Sequence, residues 1–93
     1  MKVRWLTGAV ESLRSVHRHI AVENPAAAGK VVARIERVVE RLAEHPMSGR
    51  AGRVEGTREI VVPGLPYLVV YRVDPNHVTI LRVFHGKRET AWS

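Results

Sequence analysis

The chain of 93 residues lacks cysteine and has only one phenylalanine, two tyrosines and two tryptophans. Without cysteine it can form neither a disulfide nor a zinc site with thiolate ligands. No apolar run approaches the roughly 20 residues that a membrane-spanning helix needs. The first residues also lack the apolar stretch and small-residue cleavage site of a signal peptide. These absences predict one domain over residues 1–93, located in the cytoplasm and without a membrane partner.

Positive charge exceeds negative charge along the whole chain. There are 15 Lys and Arg residues against nine Asp and Glu residues, so the formal net charge is +6. The excess is shared equally between residues 1–48 and residues 49–93. Such an excess suits an anionic partner, such as nucleic acid or an acidic protein, and it equally suits a well-solvated surface. Charge alone therefore leaves both interpretations open.

The first 21 residues predict a strand followed by a helix. Residues 2–6 alternate between polar and apolar side chains, which is typical of a short strand. Apolar side chains then recur from Val10 to Ile20 in steps of three and four, which indicates a helix. Thr7, which precedes this series, is the predicted N-cap.

A second helix is predicted between two proline signals. Asn24 is an N-cap residue, and Pro25 occupies the first helical position, where its missing N–H costs nothing. An apolar stripe then continues as far as Leu42, and the pair His45-Pro46 ends the helix. Because so few residues separate the two helices, they are expected to form an antiparallel hairpin.

The second half of the chain predicts a sheet. Residues 46–57 are rich in glycine and basic side chains, which is typical of a loop. Three strand-like runs follow, over Arg58–Val62, Tyr67–Val73 and His77–Phe84, with turn sequences between them. The order β-α-α-β-β-β predicts an α+β fold, in which the helical hairpin packs on one face of a small antiparallel sheet. The first strand would join this sheet at an edge or inside it.

Motifs for cofactor, metal or nucleophilic chemistry are missing. Neither Gly-Lys pair is followed by the Ser or Thr of a phosphate-binding loop, and no serine lies in a Gly-x-Ser-x-Gly sequence. The histidines fall on separate elements or, for His17 and His19, on different sides of one helix. The sequence therefore predicts no metal site and no cofactor.

Basic side chains gather on the predicted sheet, on the loop before it and on the tail after it. They are Arg50, Arg53, Arg58, Arg72, His85, Lys87 and Arg88. Because the helices cover only one face of the sheet, the other face would collect these groups into a concave cationic surface, suited to phosphate or an acidic peptide. A neutral His85 among cations would also suit proton transfer. The alternative is that these residues are dispersed over the surface.

The element order and the second half together resemble the RelE/ParE superfamily of bacterial toxins from type II toxin–antitoxin systems. The segments that carry the resemblance are Gly56-Thr57-Arg58-Glu59-Ile60-Val61, Tyr67–Val73, Val78–Val83 and His85-Gly86-Lys87-Arg88. The N-terminal strand with Trp5, the two helices and the pair His45-Pro46 agree with it as well. The resemblance therefore covers nearly the whole chain.

The resemblance implies one of two activities. RelE-type toxins resemble ribonucleases that cut mRNA in the ribosomal A site with basic catalytic residues, whereas ParE-type toxins inhibit DNA gyrase and trap its cleaved-DNA complex. In an alignment on Tyr71 and the tail, two RelE-type lysines fall on Glu59 and Val61, and a catalytic arginine falls on Leu68. The terminal tyrosine would lie beyond Ser93. Because these cations would stabilise a transition-state phosphate, their loss favours the non-enzymatic ParE type.

The ParE-type interpretation also implies partners and sites. A cognate antitoxin, ParD-like or of another class, would wrap the toxin with an acidic C-terminal segment and form a hetero-oligomer, as in plasmid stabilization systems. The predicted antitoxin-binding residues are Val31, Ile35, Val38 and Leu42. The predicted gyrase-binding residues are Arg58, Arg72, His85, Lys87, Arg88 and Trp92. In the alternative, a ribosome-dependent mRNA endoribonuclease, the catalytic residues would be Arg58, Arg72, His85 and Arg88. A third hypothesis is a toxin that has lost its activity and retains only binding.

Overall fold

The computed structural model describes residues 1–86 of the chain. Its elements are β1 (Lys2–Trp5), α1 (Thr7–Ala21), α2 (Pro25–Glu44), a 3-10 turn (Pro46–Ser48), β2 (Arg50–Ala51), β3 (Arg58–Val61), β4 (Tyr67–Val73) and β5 (His77–His85). The predicted α+β fold is confirmed. The short strand β2 is an addition, because it lies in the segment that was predicted to be entirely loop.

The five strands form one sheet in the order β1-β5-β4-β3-β2. Strands β2 to β5 pair in antiparallel fashion, but β1 runs parallel to β5, from the pair Lys2–His77 to the pair Trp5–Ile80. The sheet is therefore mixed rather than wholly antiparallel. The reason is that the chain reaches β5 only after the helical hairpin and three further strands, and such a long crossover permits a parallel pair.

Local signals place the helix ends, with one exception. The Asn24 side chain accepts a hydrogen bond from the Ala27 N–H at 3.1 Å, so it caps α2 as predicted. The prediction of Thr7 as N-cap was wrong, since α1 begins at Thr7 itself and Leu6 occupies the cap position without a side-chain bond. The Leu6 N–H donates to the carbonyl of Ile80 at 3.1 Å. The sheet therefore holds the chain up to Leu6, and the helix begins at once.

The main core lies between the helical hairpin and one face of the sheet. It contains Ala9, Val16, Ile35, Val39, Leu42, Val62, Tyr67, Val69, Tyr71, Val78, Ile80 and Val83. The hydroxyl of Ser12 accepts a hydrogen bond from the Val83 N–H at 2.9 Å and donates to the Ala9 carbonyl at 2.8 Å, which ties α1 to β5. A smaller cluster of Leu68, Val70 and Phe84 lies on the opposite face of the sheet. Within residues 1–86, neither helix combines the length and the apolar character needed to cross a membrane.

Candidate functional site

On the sheet face opposite the helices, the positions that align with RelE-type basic residues carry acidic or apolar side chains. Glu59 lies on β3 with only 2% of its surface exposed, and its partner on β4 is Val70, which is buried in one cluster with Leu68 and Phe84. Strand alternation places Val61 on the same side as Glu59. Neither Val61 nor Leu68 brings a charge, so these two positions offer no cation to a phosphate.

Glu59 is the anchor of the segment that leads from β2 to β3. Its carboxylate accepts a hydrogen bond from the Arg53 N–H at 2.9 Å. The guanidinium groups of Arg50 and Arg53 lie 3.5 and 4.0 Å from the same carboxylate. The Arg53 guanidinium also lies over the ring of Phe84, 5.7 Å from its centroid, as in a cation–π contact. Both arginines are therefore engaged within the fold.

Arg58 faces the opposite way and supports the 3-10 turn. Its guanidinium donates to the carbonyl of Gly49 at 2.6 Å and lies 3.5 Å from the carbonyl of Met47. On the paired strand, the buried Tyr71 hydroxyl donates to the Pro46 carbonyl and accepts from the Gly49 N–H, both at 2.8 Å. Burial raises the pKa of Tyr71, so its hydroxyl remains a donor.

Gly49 is needed for this contact because a Cβ at that position would lie 2.5 Å from the Tyr71 hydroxyl. No rearrangement of a flexible side chain end would relieve that overlap, since the tyrosine ring is itself enclosed in the core. The glycine therefore allows the chain to pass close to the sheet between the 3-10 turn and β2.

Arg72 belongs to an ion cluster at the other end of β4. Its guanidinium donates to both carboxylate oxygens of Asp74, at 2.8 and 3.2 Å. The Thr79 hydroxyl donates to Asp74 at 2.6 Å, and the Arg4 guanidinium lies 3.8 Å from it. These hydrogen bonds, that from Arg72 first, lower the pKa of Asp74 to about 2. The cluster joins β1, β4 and β5.

His85 lies apart from both Arg58 and Arg72. Its ring meets that of Tyr67 edge to face, with the centroids 5.4 Å apart. The two rings border a cleft of about 430 Å³ between α1 and the end of β5, which Glu11, His19 and Arg82 also line. Lys87, Arg88 and Trp92 lie outside the described residues. The structure thus separates Arg58, Arg72 and His85 over two sheet faces and both ends of the β4–β5 hairpin.

The stripe predicted to bind an antitoxin is mostly interior. Ile35 and Leu42 have no exposed surface, because this side of α2 packs on the sheet and forms its core. They are therefore not accessible to a partner in this fold, which corrects that part of the prediction. Val31 and Val38 are partly buried against the same core. Of the four residues, Val38 also lines a surface groove.

This groove, here called the α2 groove, lies between α2 and the turn from β3 to β4. It consists of two adjoining hollows of about 170 and 530 Å³, which share Val38, Arg41 and Pro63. Arg34 and Arg37 line the smaller hollow beside Arg41. Sequence reasoning missed these arginines, although their spacing of three and four residues was a signal that they share one side of a helix.

Two further observations bear on chemistry. Within the part of the chain that the structure describes, no three His, Asp or Glu side chains come together as metal ligands would. The polar groups of the sheet are instead joined in pairs of opposite charge or bound to backbone carbonyls. Such an arrangement stabilises strands and loops.

Known proteins are similar to this chain over nearly its whole length. The family model described as "ParE toxin of type II toxin-antitoxin system, parDE" matches residues 3–90. A Sinorhizobium fredii protein named toxin Y4kP is 41% identical over 88 residues, which are 95% of this chain and 91% of that protein. Toxin RelE2 of Caulobacter vibrioides is 31% identical over 87 residues, which are 94% of this chain and 97% of that protein.

Two solved toxin–antitoxin structures are similar in fold. A chain of the chromosomal ParDE system from P. aeruginosa has a TM-score of 0.83 at 27% identity, with 91% of this chain and 95% of that chain covered. A chain of the RelBE2 complex from Mycobacterium tuberculosis has a TM-score of 0.66 at 27% identity, with 90% and 95% covered.

Proposed function

Because the chain belongs to the ParE toxin family of type II toxin–antitoxin systems, we propose that it is a ParE-like toxin, which inhibits DNA gyrase and is neutralised by a cognate antitoxin. The observation that carries the proposal is the composition of the open sheet face. Glu59, Val61 and Leu68 stand where the RelE-type resemblance would require cations, and Glu59 is buried and engaged with two arginines. Positions 59, 61 and 68 themselves would bring no positive charge to a transition-state phosphate, and the neighbouring Arg50 and Arg53 already contact the Glu59 carboxylate.

The comparisons support the same choice. The two solved structures described above are titled a ParDE toxin–antitoxin system and a RelBE2 toxin–antitoxin complex, and the likeness is greater for ParDE, at a TM-score of 0.83, than for RelBE2, at 0.66. The partner we propose is therefore an antitoxin of the ParD or a related class. Plasmid stabilization and action in the cytoplasm are parts of the same proposal.

A RelE-type endoribonuclease is the second candidate, since one relative is named toxin RelE2. Its catalytic residues would be Arg58, Arg72, His85 and Arg88. Arg58 binds two backbone carbonyls and Arg72 binds Asp74 through two hydrogen bonds. Both arginines would have to leave these partners to act on RNA, which disfavours this candidate.

Two assays with purified protein distinguish the candidates. One measures supercoiling of relaxed plasmid by DNA gyrase, and the other measures cleavage of mRNA on programmed ribosomes. We expect loss of supercoiling, accumulation of cleaved DNA and intact mRNA. Cleaved mRNA with normal supercoiling would refute the proposal and establish the ribonuclease, whereas no effect in either assay would leave only a binding function. In the genome, a short adjacent gene for a protein with an acidic C-terminal segment is expected.

Among the residues proposed to bind the target, Lys87, Arg88 and Trp92 carry the most weight. Arg58 and Arg72 have partners within the fold, and His85 contacts Tyr67. We expect the double variant Lys87→Glu/Arg88→Glu to abolish growth arrest while its thermal unfolding midpoint stays unchanged. The matched control is Arg18→Glu/Lys30→Glu, which alters the net charge equally at exposed helix positions. Equal loss of toxicity in both variants would refute a local role for the tail.

A further inference from the structure

Two arginines on the sheet face opposite the helices approach one buried carboxylate oxygen. The guanidinium groups of Arg50 and Arg53 lie 3.5 and 4.0 Å from Oε1 of Glu59. The sum of these distances places the two approaching nitrogens within about 7.5 Å of each other. The three side chains therefore form one group, here called the Glu59 triad.

Both guanidinium groups of the triad retain donors beyond those directed at Glu59. Arg50 approaches the carboxylate through Nη2 and Arg53 through Nε, each over one long distance. Their side chains are 63% and 44% exposed, whereas that of Glu59 is 1% exposed. A guanidinium has five N–H donors, so each group can bind a ligand while it stays beside Glu59. Arg72 differs, because it gives two hydrogen bonds of 2.8 and 3.2 Å to Asp74.

The fold holds Arg53 by its backbone and by its side chain. The Arg53 N–H donates to Oε2 of Glu59 at 2.9 Å, and its guanidinium lies 5.7 Å from the centroid of the Phe84 ring. The loop between β2 and β3 closes through the Gly52 N–H, which donates to the Thr57 carbonyl at 2.8 Å. Binding costs entropy when it immobilises long side chains. An arginine that is already held loses less entropy when a ligand binds.

We propose that Arg50 and Arg53 bind a backbone phosphate of DNA and that Glu59 is the positioning residue of this site. The inference rests on the proposed function, because a gyrase inhibitor acts where the enzyme holds DNA. Two guanidinium groups and one carboxylate leave the triad with a single positive charge, which matches the single negative charge of a phosphodiester. Planar N–H pairs suit two oxygens of a phosphate.

A phosphate backbone fits the triad better than an acidic peptide does. The apolar residues beside it, Leu68, Val70 and Phe84, have no more than 7% of their surface exposed. The side chains of a peptide would therefore find no open apolar floor next to the two arginines. The contact is limited to charge and hydrogen bonds, which is how proteins bind the DNA backbone without reading its sequence.

The test measures binding of the full chain to a fluorescent DNA duplex of about 20 base pairs, by anisotropy at several salt concentrations and without gyrase. The site variant is Arg50→Met/Arg53→Met. The matched control, Arg14→Met/Arg18→Met, lowers the net charge equally at exposed positions of α1. Because the site variant leaves the buried Glu59 without its guanidinium partners, Arg50→Lys/Arg53→Lys is a second variant that keeps both charges, with Arg14→Lys/Arg18→Lys as its control. Thermal unfolding shows which variants are folded.

We expect the site variant to bind at least about 10-fold more weakly than its control at low salt. The slope of log affinity against log salt concentration should fall by about 1, the value for one lost phosphate contact. The lysine variant should bind at least about 3-fold more weakly than its control, since lysine lacks the planar fork of donors. Site variants that bind as their controls do, or a wild type that does not bind the duplex, would overturn the proposal.

Two competitors test the identity of the ligand. Inorganic phosphate and poly-glutamate are added to the complex of the wild type with DNA, each at the concentration of phosphate groups that the duplex supplies. We expect the duplex to remain bound, because neither competitor repeats the spacing of phosphates along a DNA strand. Release of the duplex by inorganic phosphate would indicate a site for the free ion, and release by poly-glutamate a site for an acidic protein. Either result would overturn the assignment to DNA.

The role of Glu59 is tested by Glu59→Gln, which keeps the size of the side chain and removes its charge. If charge alone mattered, this variant would bind DNA more tightly, as would the control Glu55→Gln at an exposed acid of the adjoining loop. A positioning role predicts that Glu59→Gln binds about 3-fold more weakly than Glu55→Gln. Equal or tighter binding by Glu59→Gln would refute that role. The supercoiling assay on the same wild-type protein is independent, so its failure removes the proposed function and leaves the DNA measurements standing.

Discussion

The arginines of the sheet and those of α2 show how one residue type serves two purposes in a small basic protein. Arg50 and Arg53 pair with a buried carboxylate, and Arg72 forms two hydrogen bonds with Asp74. Arg34, Arg37 and Arg41 are exposed and lie on a helix with several glutamates, yet the described part of the chain gives none of them an ion pair. Net charge therefore says little about binding until the contacts of each cation are known.

The sheet arginines act through contacts between segments that are separate in the sequence. Glu59 holds the loop before β3, Arg58 holds the 3-10 turn, and Asp74 joins β1 to β5 through Arg4 and Thr79. Such contacts matter in a domain of this size because a small core leaves little stability in reserve. The α2 arginines have no comparable structural task. The comparison therefore predicts unequal responses to mutation.

The largest loss of stability is expected when Glu59 is replaced. Replacing it with alanine removes the acceptor of the Arg53 N–H and the partner of two guanidinium groups, and it leaves a void in a buried position. We expect Glu59→Ala to lower the free energy of unfolding by about 3 kcal/mol. Urea denaturation measures this change, with Glu55→Ala as a control at an exposed acid of the loop that Glu59 holds. Equal midpoints for the two variants would contradict an anchoring role for Glu59.

Arg58 should show an intermediate effect. Methionine keeps most of the aliphatic stem of this side chain but cannot donate to the Gly49 carbonyl, which the guanidinium contacts at 2.6 Å. We expect Arg58→Met to lower the free energy of unfolding by about 1.5 kcal/mol, the usual range for a charged hydrogen bond. Hydrogen exchange should show faster exchange at the Gly49 N–H than in the wild type. Unchanged exchange there would argue that Arg58 is free to serve a target.

The Asp74 cluster should contribute to the free energy of unfolding in a pH-dependent way. Because the pKa of Asp74 is lowered to about 2, its ionised form stabilises the folded state above pH 4 or so, where the carboxyl of the unfolded chain is also ionised. This stability is lost as the pH falls from about 4 through 2. Denaturation midpoints measured from pH 2 to pH 5 should therefore fall less steeply for Asp74→Asn than for the wild type. Parallel curves would show that the cluster contributes nothing to folding.

The smallest effect on stability is expected on α2. Arg37→Met should change the free energy of unfolding by less than about 0.5 kcal/mol, because it removes no ion pair and relieves repulsion with Arg41. Urea denaturation beside Arg58→Met makes the comparison direct, since both changes replace arginine with methionine. A destabilisation as large as that of Arg58→Met would show that the α2 arginines are structural after all, and it would remove the contrast between the two groups.

Much of the fold was predictable because its signals are local. The spacing of apolar residues indicated α1 and α2, and the pair Asn24-Pro25 placed the beginning of α2 correctly. Helix α2 ends shortly before Pro46, and three strands lie where the alternation of side chains predicts them. The parallel pairing of β1 was not predictable in this way, because it depends on where the crossover returns. Likewise, the residues near Thr7 do not indicate that the Leu6 N–H pairs with β5, so that Leu6 rather than Thr7 occupies the N-cap position.

The candidate site was less predictable. The basic residues of the second half predict a concave cationic face, but the structure distributes those within its described range over two faces and gives most of them partners. The apolar stripe of α2 had two possible roles, as core or as binding surface. Ile35 and Leu42 turned out to be core because the sheet covers that side of the helix.

The α+β order of the longer elements, the protein family and the lack of cations at positions 59, 61 and 68 follow from the amino-acid sequence. Which arginines form contacts within the fold and which are exposed without an ion pair depends on the folded arrangement. The physical reason is distance along the chain. Helix periods and caps depend on residues a few positions apart, whereas Arg4 meets Asp74, and Arg34 borders Gly64, only after folding has brought distant segments together. Charged residues can be counted in the sequence, but which of them form ion pairs depends on the residues that folding places beside them.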